Sequence, residues 1–287
     1  MTDTLRLAAF IDKGGTGKTT ATAHLGVALA AEGLDVLLID LAGKQGDLAK
    51  TFGVWTTYQR RIDDDDAWPN VTTVFQDEWA TIADKLGADA VADLVIETDE
   101  DVDLIPAHPG LDSLDADLGT IDDAADRYAR FDRFLTEYVE PRGYDAIVLD
   151  LPGLTNNVSY SGLWAASHVL APVEMGPFEA EQAAKLRADL QQMVSAFDIT
   201  IELAMVLPNK VDTRTTLATT YLDAFRSEYG ETMAPAYIPY SQDIRNAVEQ
   251  GHTAFALSDP SSTAQQACAA FTTNAQALIT RLGGTSQ

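Results

Sequence analysis

The chain has 287 residues, 46% of them hydrophobic, one cysteine, and a formal charge of −25 from 44 acidic and 19 basic side chains. That length allows one large α/β domain or two smaller ones and is ample for a sizeable core. No window approaches 18 uncharged apolar residues, which argues against a membrane-spanning helix, and a lone Cys268 excludes an internal disulfide.

The acids are spread along the chain apart from the run at 63–66. Two readings of that charge compete: a surface that repels nucleic acid and meets a basic partner, or one adapted to very high salt, where self-repulsion is screened. The even spread favours the second. The N-terminal MTDTLRLAAFIDKGG has no basic start before an apolar core, so a cytoplasmic location is expected.

In chain order, strands are predicted at 5–11, 35–40, 102–107, 144–150, 168–173, 199–208 and 234–239. Helices are predicted at 18–32, 76–97, 121–140, 176–197, 213–229, 241–250 and 262–282. Strands alternating with helices imply right-handed crossovers and a doubly wound, mostly parallel sheet with helices on both faces. No long linker interrupts the pattern, so residues 1–287 are read as one domain. Residues 53–75 read as an irregular excursion.

The first strand is followed by KGGTGKTT (13–20), which opens the first long helix. It fits G-x-x-x-x-G-K-[ST] only with Asp12 at the first glycine position, but its core matches. Glycines at 14, 15 and 17 let backbone N–H groups turn inward around phosphate oxygens at a helix N-terminus. The nucleotide site is taken to run through Gly14, Gly15, Thr16, Gly17, Lys18, Thr19 and Thr20. Lys18 would reach the β- and γ-phosphates of a nucleotide, and the Thr19 hydroxyl would sit on Mg²⁺. Asp150 ends the apolar strand Ala146-Ile147-Val148-Leu149, where a carboxylate suits the same Mg²⁺ through a water. Asn156 and Asn157 follow it in a loop where either could sense the γ-phosphate.

Lys13, a second lysine at the start of the loop, resembles the deviant Walker A motif of the ParA/MinD family of ATPases, whose fold is that of P-loop NTPases. YDAIVLDLPG (144–153), APVEMGPFEAEQAAKL (171–186), NKVDTRTTL (209–217) and IPYSQDIRNAVEQG (238–251) resemble further family blocks in family order. The resemblance implies an ATP-bound sandwich homodimer in which Lys13 crosses to the partner's nucleotide. It also implies that Asn209 and the backbone around Pro239 hold adenine. NKVD (209–212) equally fits the N-K-x-D pattern of GTP-binding proteins, in which Asp212 would accept two hydrogen bonds from guanine. The Thr213-Arg214-Thr215 and Ile238-Pro239 context favours ATP.

The second strand ends in LLIDLAGKQGDL (37–48). Members of the family read D-x-D here, and the second Asp supports attack by water. In this chain Asp40 stands first and Ala42 second. Asp40 could orient the water itself, or Asp47 could swing in from the loop; alternatively hydrolysis is very slow. Weak ATPase activity is expected.

The resemblance further implies a stimulating or adaptor protein and non-specific DNA binding, here at high salt, with Arg187, Arg214, Arg226 and Arg245 as candidates. The family's Ile-Pro-Arg is Ile238-Pro239-Tyr240 in this chain. A membrane-bound, MinD-like role needs a basic amphipathic C-terminal helix, and 262–282 carries one arginine among many alanines. A metabolic P-loop enzyme of similar fold is the other class. His24, His108, His168 and His252 lack metal-ligand spacing.

Overall fold

A computed structural model describes residues 4–43, 45–87 and 89–282. β1 (Leu5–Ala9), buried apart from its first residue, runs through a glycine-rich turn into α1 (Lys18–Ala31), an alanine-rich helix buried along most of its length. β2 (Val36–Asp40), buried throughout, is followed by the short α2 (Asp47–Thr51) and by α3 (Trp55–Asp63). α4 (Trp79–Leu86) and α5 (Asp89–Ala92) lead to β3 (Ile96–Glu97) and β4 (Asp103–Ile105). α6 (Leu111–Gly119) and α7 (Ala124–Phe134) precede β5 (Ala146–Asp150).

The rest alternates with few breaks. α8 (Asn157–Ala165), β6 (His168–Val173), α9 (Pro177–Phe197), β7 (Glu202–Pro208) and α10 (Thr216–Tyr229) come first. α11 (Gln242–Glu249) and α12 (Ser262–Leu282) close the chain.

The strands form one seven-stranded sheet in the order β3-β4-β2-β5-β1-β6-β7. Every pairing is parallel except β3 with β4. Strands buried on both faces read as continuous apolar runs. Alternate residues go to opposite layers: Leu7, Leu38 and Val148 pack with α1 and α12, whereas Ala8, Ile39 and Leu149 pack with α6, α7, α8 and α9. This is the expected doubly wound sheet, and its carboxyl edge gathers the loops after β1, β2, β5 and β7.

Several local expectations need correction. Residues 234–239 are not a strand: isolated bridges, Val206 to Met233 and Val211 to Pro239, and scattered hydrogen bonds such as those of Ala236 with the Asn274 side chain hold this stretch to the body. Pro235 and Pro239 lack the N–H that a ladder needs. The helix expected over 76–97 breaks at Gly87, which adopts φ +68°, and its last part is β3. The excursion at 53–75 contains α3, anchored by the buried Tyr58, and a 3₁₀ turn at Thr73–Phe75. α6 and α8 were not anticipated. α6 does carry Leu111, Leu114 and Leu118 at helical spacing, all buried. α8 is capped by Asn156, whose side chain accepts from the Ser159 amide.

Candidate nucleotide site

The loop from β1 to α1 is shaped by its glycines. Gly15 and Gly17 adopt φ +80° and +90°, a region that L side chains avoid. At Gly14 and Gly15 nothing lies within 4 Å of where a Cβ would stand. At Gly17 the opposite holds: an added Cβ would stand 2.3 Å from Asn209 Nδ2. The Thr16 hydroxyl is buried without a partner. Lys18 is buried, and its ammonium donates to the Lys13 carbonyl at 2.8 Å. Burial lowers its pKa, while Asp150 and Asp12 pull the other way. Thr19 and Thr20 follow in the first turn of α1.

Lys13 lies at the mouth of the loop and forms a tight ion pair with Glu179 in the first turn of α9. Glu179 is itself nearly buried, and Gly176 makes room for it: a Cβ there would stand 2.5 Å from Glu179 Oε2. Sequence reasoning missed Glu179. It lies inside the block 171–186, but only the sheet brings α9 over the loop.

Asp150 and Asp40 end neighbouring parallel strands and are paired in register. Both are buried, at 0% and 1% exposure. Neither Asp150 oxygen has a hydrogen-bond partner at normal geometry, although the nearby Thr19 hydroxyl and Lys18 favour its charged form. Burial, then repulsion from Asp40, raises the Asp150 pKa well above the usual carboxylate range. Burial likewise pushes Asp40 up to about 7.

Asp40 differs from Asp150 in being engaged. Its carboxylate accepts from the Ala42 amide at 2.9 Å and the Leu48 amide at 3.4 Å, closing the loop after β2 on itself. Asp47 begins α2, half-exposed and paired with Lys50 at 3.2 Å. Beside Ala42 lies a cavity of about 270 Å³ lined by Asp40, Gly43, Gly46, Asp47 and Asp112. Asn156 and Asn157 are both engaged. Asn156 caps α8, and Asn157 bonds Asp115 through its backbone N–H and its side-chain amide.

On the other side of the loop the NKVD segment is fastened to it. Asn209 Nδ2 donates to the Thr16 carbonyl at 2.8 Å, and Lys210 bonds the Gly15 carbonyl and Glu174. The Val211 amide donates to the Ile238 carbonyl and the Tyr240 amide to Val211, so Pro239 lies beside Val211. The Asp212 carboxylate is held by Arg214 and its pKa is lowered to about 2. The structure thus sets Lys18, Thr19, Asp40 and Asp150 on the β2–β5 side of the loop and Asn209, Asp212 and Pro239 on the β7 side, with Lys13 turned towards α9.

Of the four arginines considered for DNA, Arg187 pairs with Glu228, Arg214 with Asp212 and Arg226 with Asp223; Arg245 is exposed. The histidines stay apart, and no group of three or more potential ligands that could hold a metal ion occurs among the described residues. His24 is wholly buried. Its Nε2 accepts from the Ala254 amide and its Nδ1 lies 2.9 Å from the Thr20 carbonyl, so the proton resides on Nδ1. Burial lowers its pKa to about 4. No helix among the described residues is long and apolar enough to cross a membrane.

Residues 7–254 match the family described as the CobQ/CobB/MinD/ParA nucleotide binding domain. The chromosome partitioning protein ParA of Caulobacter vibrioides is 28% identical over 248 residues, covering 85% of this chain and 84% of that protein. The chromosome-partitioning ATPase Soj of Thermus thermophilus is 28% identical over 248 residues, covering 86% of each. Among solved structures, cobyrinic acid a,c-diamide synthase from Mycobacterium smegmatis with an ATP analogue and magnesium superposes with a TM-score of 0.71 at 24% identity, covering 96% of this chain and 95% of the other. The ATP complex of a Cyanothece McdA variant gives 0.72 at 20% identity, covering 97% of each. With its phosphate-type loop, its facing carboxylates and a match spanning most of its length, the chain belongs to the CobQ/CobB/MinD/ParA nucleotide-binding family of ATPases.

Proposed function

We propose that this chain is a ParA-like switch that binds ATP with Mg²⁺, dimerises in that state, and hydrolyses ATP slowly in positioning or partitioning DNA or another large cargo. The observation that carries the reading is the buried, unpartnered Asp150 carboxylate facing the glycine loop beside Lys18 and Thr19. A buried carboxylate without a partner is costly unless it is protonated or meets a cation. Hydroxyl and carboxylate oxygens are the donors Mg²⁺ takes, so Thr19 and Asp150 fit it. The uncrowded glycines Gly14 and Gly15, the unpartnered Thr16 hydroxyl and the Lys18 ammonium fit a triphosphate.

Mg²⁺ when bound neutralises phosphate charge. Every other role falls to this chain. Lys18 exchanges the Lys13 carbonyl for phosphate oxygens. Gly17 and Thr20 complete the turn into α1. Asn209 and the Pro239 backbone flank the base. Lys13, held by Glu179 in the monomer, is the deviant Walker A lysine that reaches the nucleotide of a second copy, so dimerisation replaces one ion pair with another.

Hydrolysis is weak on this reading. The Asp40 carboxylate is engaged by backbone amides, Ala42 carries no acid, and Asp47 pairs with Lys50. Missing general-base help costs about 10²-fold or more. The acidic surface is a high-salt adaptation of a single-domain cytoplasmic protein; it leaves non-specific DNA binding to conditions where −25 charges are screened. A separate stimulating protein would raise turnover. ATP and Mg²⁺ should raise the melting temperature and convert monomer to dimer in light scattering; melting and mass unchanged by ATP would refute the proposal.

A further inference from the structure

The N-K-x-D sequence poses a problem that the phosphate loop does not answer. Guanine presents two parallel donors on one edge, N1–H and the 2-amino group. A carboxylate that turns both oxygens to that edge reads it. Asp212 is the residue of this sequence that could do so, and here its carboxylate is taken. Arg214 Nε donates to Oδ1 at 2.8 Å, Arg214 Nη2 donates to Oδ2 at 2.7 Å, and the Arg214 backbone amide adds a bond to Oδ1 at 3.1 Å. The Asp212 carbonyl is fixed as well, accepting from the Thr215 amide and hydroxyl. Thr215 in turn caps α10.

The chemistry of the two occupants is the same. The donor edge of guanine is a planar guanidine, and the side chain of Arg214 presents the same pair of parallel N–H groups to the same pair of oxygens. Adenine has no such edge, offering an acceptor at N1 and a donor only at its 6-amino group, so it makes no demand on Asp212. The loop is positioned for this to matter, since Asn209 and Lys210 bind the glycine loop and Val211 lies against Pro239.

Resting on the nucleotide-binding reading above, we propose that Arg214 determines base selectivity: it occupies the guanine-reading carboxylate of Asp212 from within the chain, so ATP is accepted and GTP is not. Selectivity then comes from blocking the competitor as well as from holding the preferred base. The effect is bounded because Arg214 is 87% exposed, and exposed ion pairs are weak.

The test measures dissociation constants of ATP, GTP and ITP, each with Mg²⁺, by displacement of a fluorescent ATP analogue. Wild type should prefer ATP. Arg214→Ala should leave ATP affinity unchanged and tighten GTP by on the order of fivefold, the scale of an exposed ion pair. ITP, which lacks the 2-amino group, should gain less. Asp212→Asn in the Arg214→Ala background should abolish the gain. Arg214→Lys, which keeps the charge but loses the fork, should fall between, and it serves if Arg214→Ala folds poorly. An unchanged GTP-to-ATP ratio in Arg214→Ala, or an equal gain for ITP, overturns the assignment while ATP binding stands. Wild type that binds neither nucleotide overturns both readings.

Discussion

The loops that leave β1 and β2 flank the same strand, β5, yet they are built in opposite ways. The loop after β1 is open. Gly14 and Gly15 are uncrowded, the Thr16 hydroxyl is unpartnered, and the Lys18 ammonium donates to a backbone carbonyl with Asp150 and Asp12 nearby. The loop after β2 is closed, because its strand-end carboxylate, Asp40, accepts from the Ala42 and Leu48 amides. The first is arranged to receive a ligand, and the second is arranged to hold its own shape. On the proposed function, binding and turnover are therefore separable, with residues of their own.

The largest effect should follow from Lys18→Ala. A ligand at a hundred times its dissociation constant stabilises a protein by about 2.7 kcal/mol. At roughly 2–4 °C per kcal/mol for a chain of this size, that is a melting shift of about 5–10 °C. Calorimetry with ATP and Mg²⁺ should record that shift for wild type and none for Lys18→Ala. On the other loop, Ala42→Asp places a carboxylate beside a cavity with room for it. Steady-state phosphate release should rise about 10²-fold, the usual return from a general base, with ATP affinity little altered. Equal turnover in the two proteins would mean that the closed loop, and not the missing acid, sets the rate.

Buried groups at the end of β2 and within α1 respond to pH in opposite directions. The Asp40 pKa in the fold is about 7 against an ordinary 3.8. Its contribution to stability is thus fully present below pH 3.8 and lost as pH rises through 7. The nucleotide-free protein should melt at progressively lower temperature across that window, and Asp40→Asn should flatten the slope. His24 acts in the other direction. Its pKa is lowered to about 4 from 6.5, so its contribution is present above pH 6.5 and lost as pH falls towards 4. The smallest effect is expected from Glu179→Gln, which frees Lys13. The dimer should form at ATP concentrations a few-fold lower, read by light scattering across a titration.

The open loop was legible in the sequence because its chemistry is local: strand, glycines, lysine and threonine lie within a few residues of one another. The sheet was legible for a similar reason, since parallel strands buried on both faces write continuous apolar runs such as VLLID and AIVLD. What escaped notice is non-local or masked. Glu179 reaches Lys13 only because β6 pairs beside β1 and brings the start of α9 to the loop. The Asp40 hydrogen bonds depend on how the 41–48 backbone turns. α6 carries its three leucines plainly, yet a window dense in aspartate hid a short helix. The segment 234–239 looked like a strand because its apolar residues alternate; its two prolines remove the donors that pairing requires.

On the proposed function, Lys13 serves a second copy of the chain and not its own fold. Multi-angle light scattering of Lys13→Ala with ATP and Mg²⁺, alongside a melting curve under the same conditions, tests it directly. The Lys13→Ala protein should keep the ATP-induced melting shift and remain a monomer while wild type dimerises. A Lys13→Ala protein that dimerises as readily as wild type would contradict it.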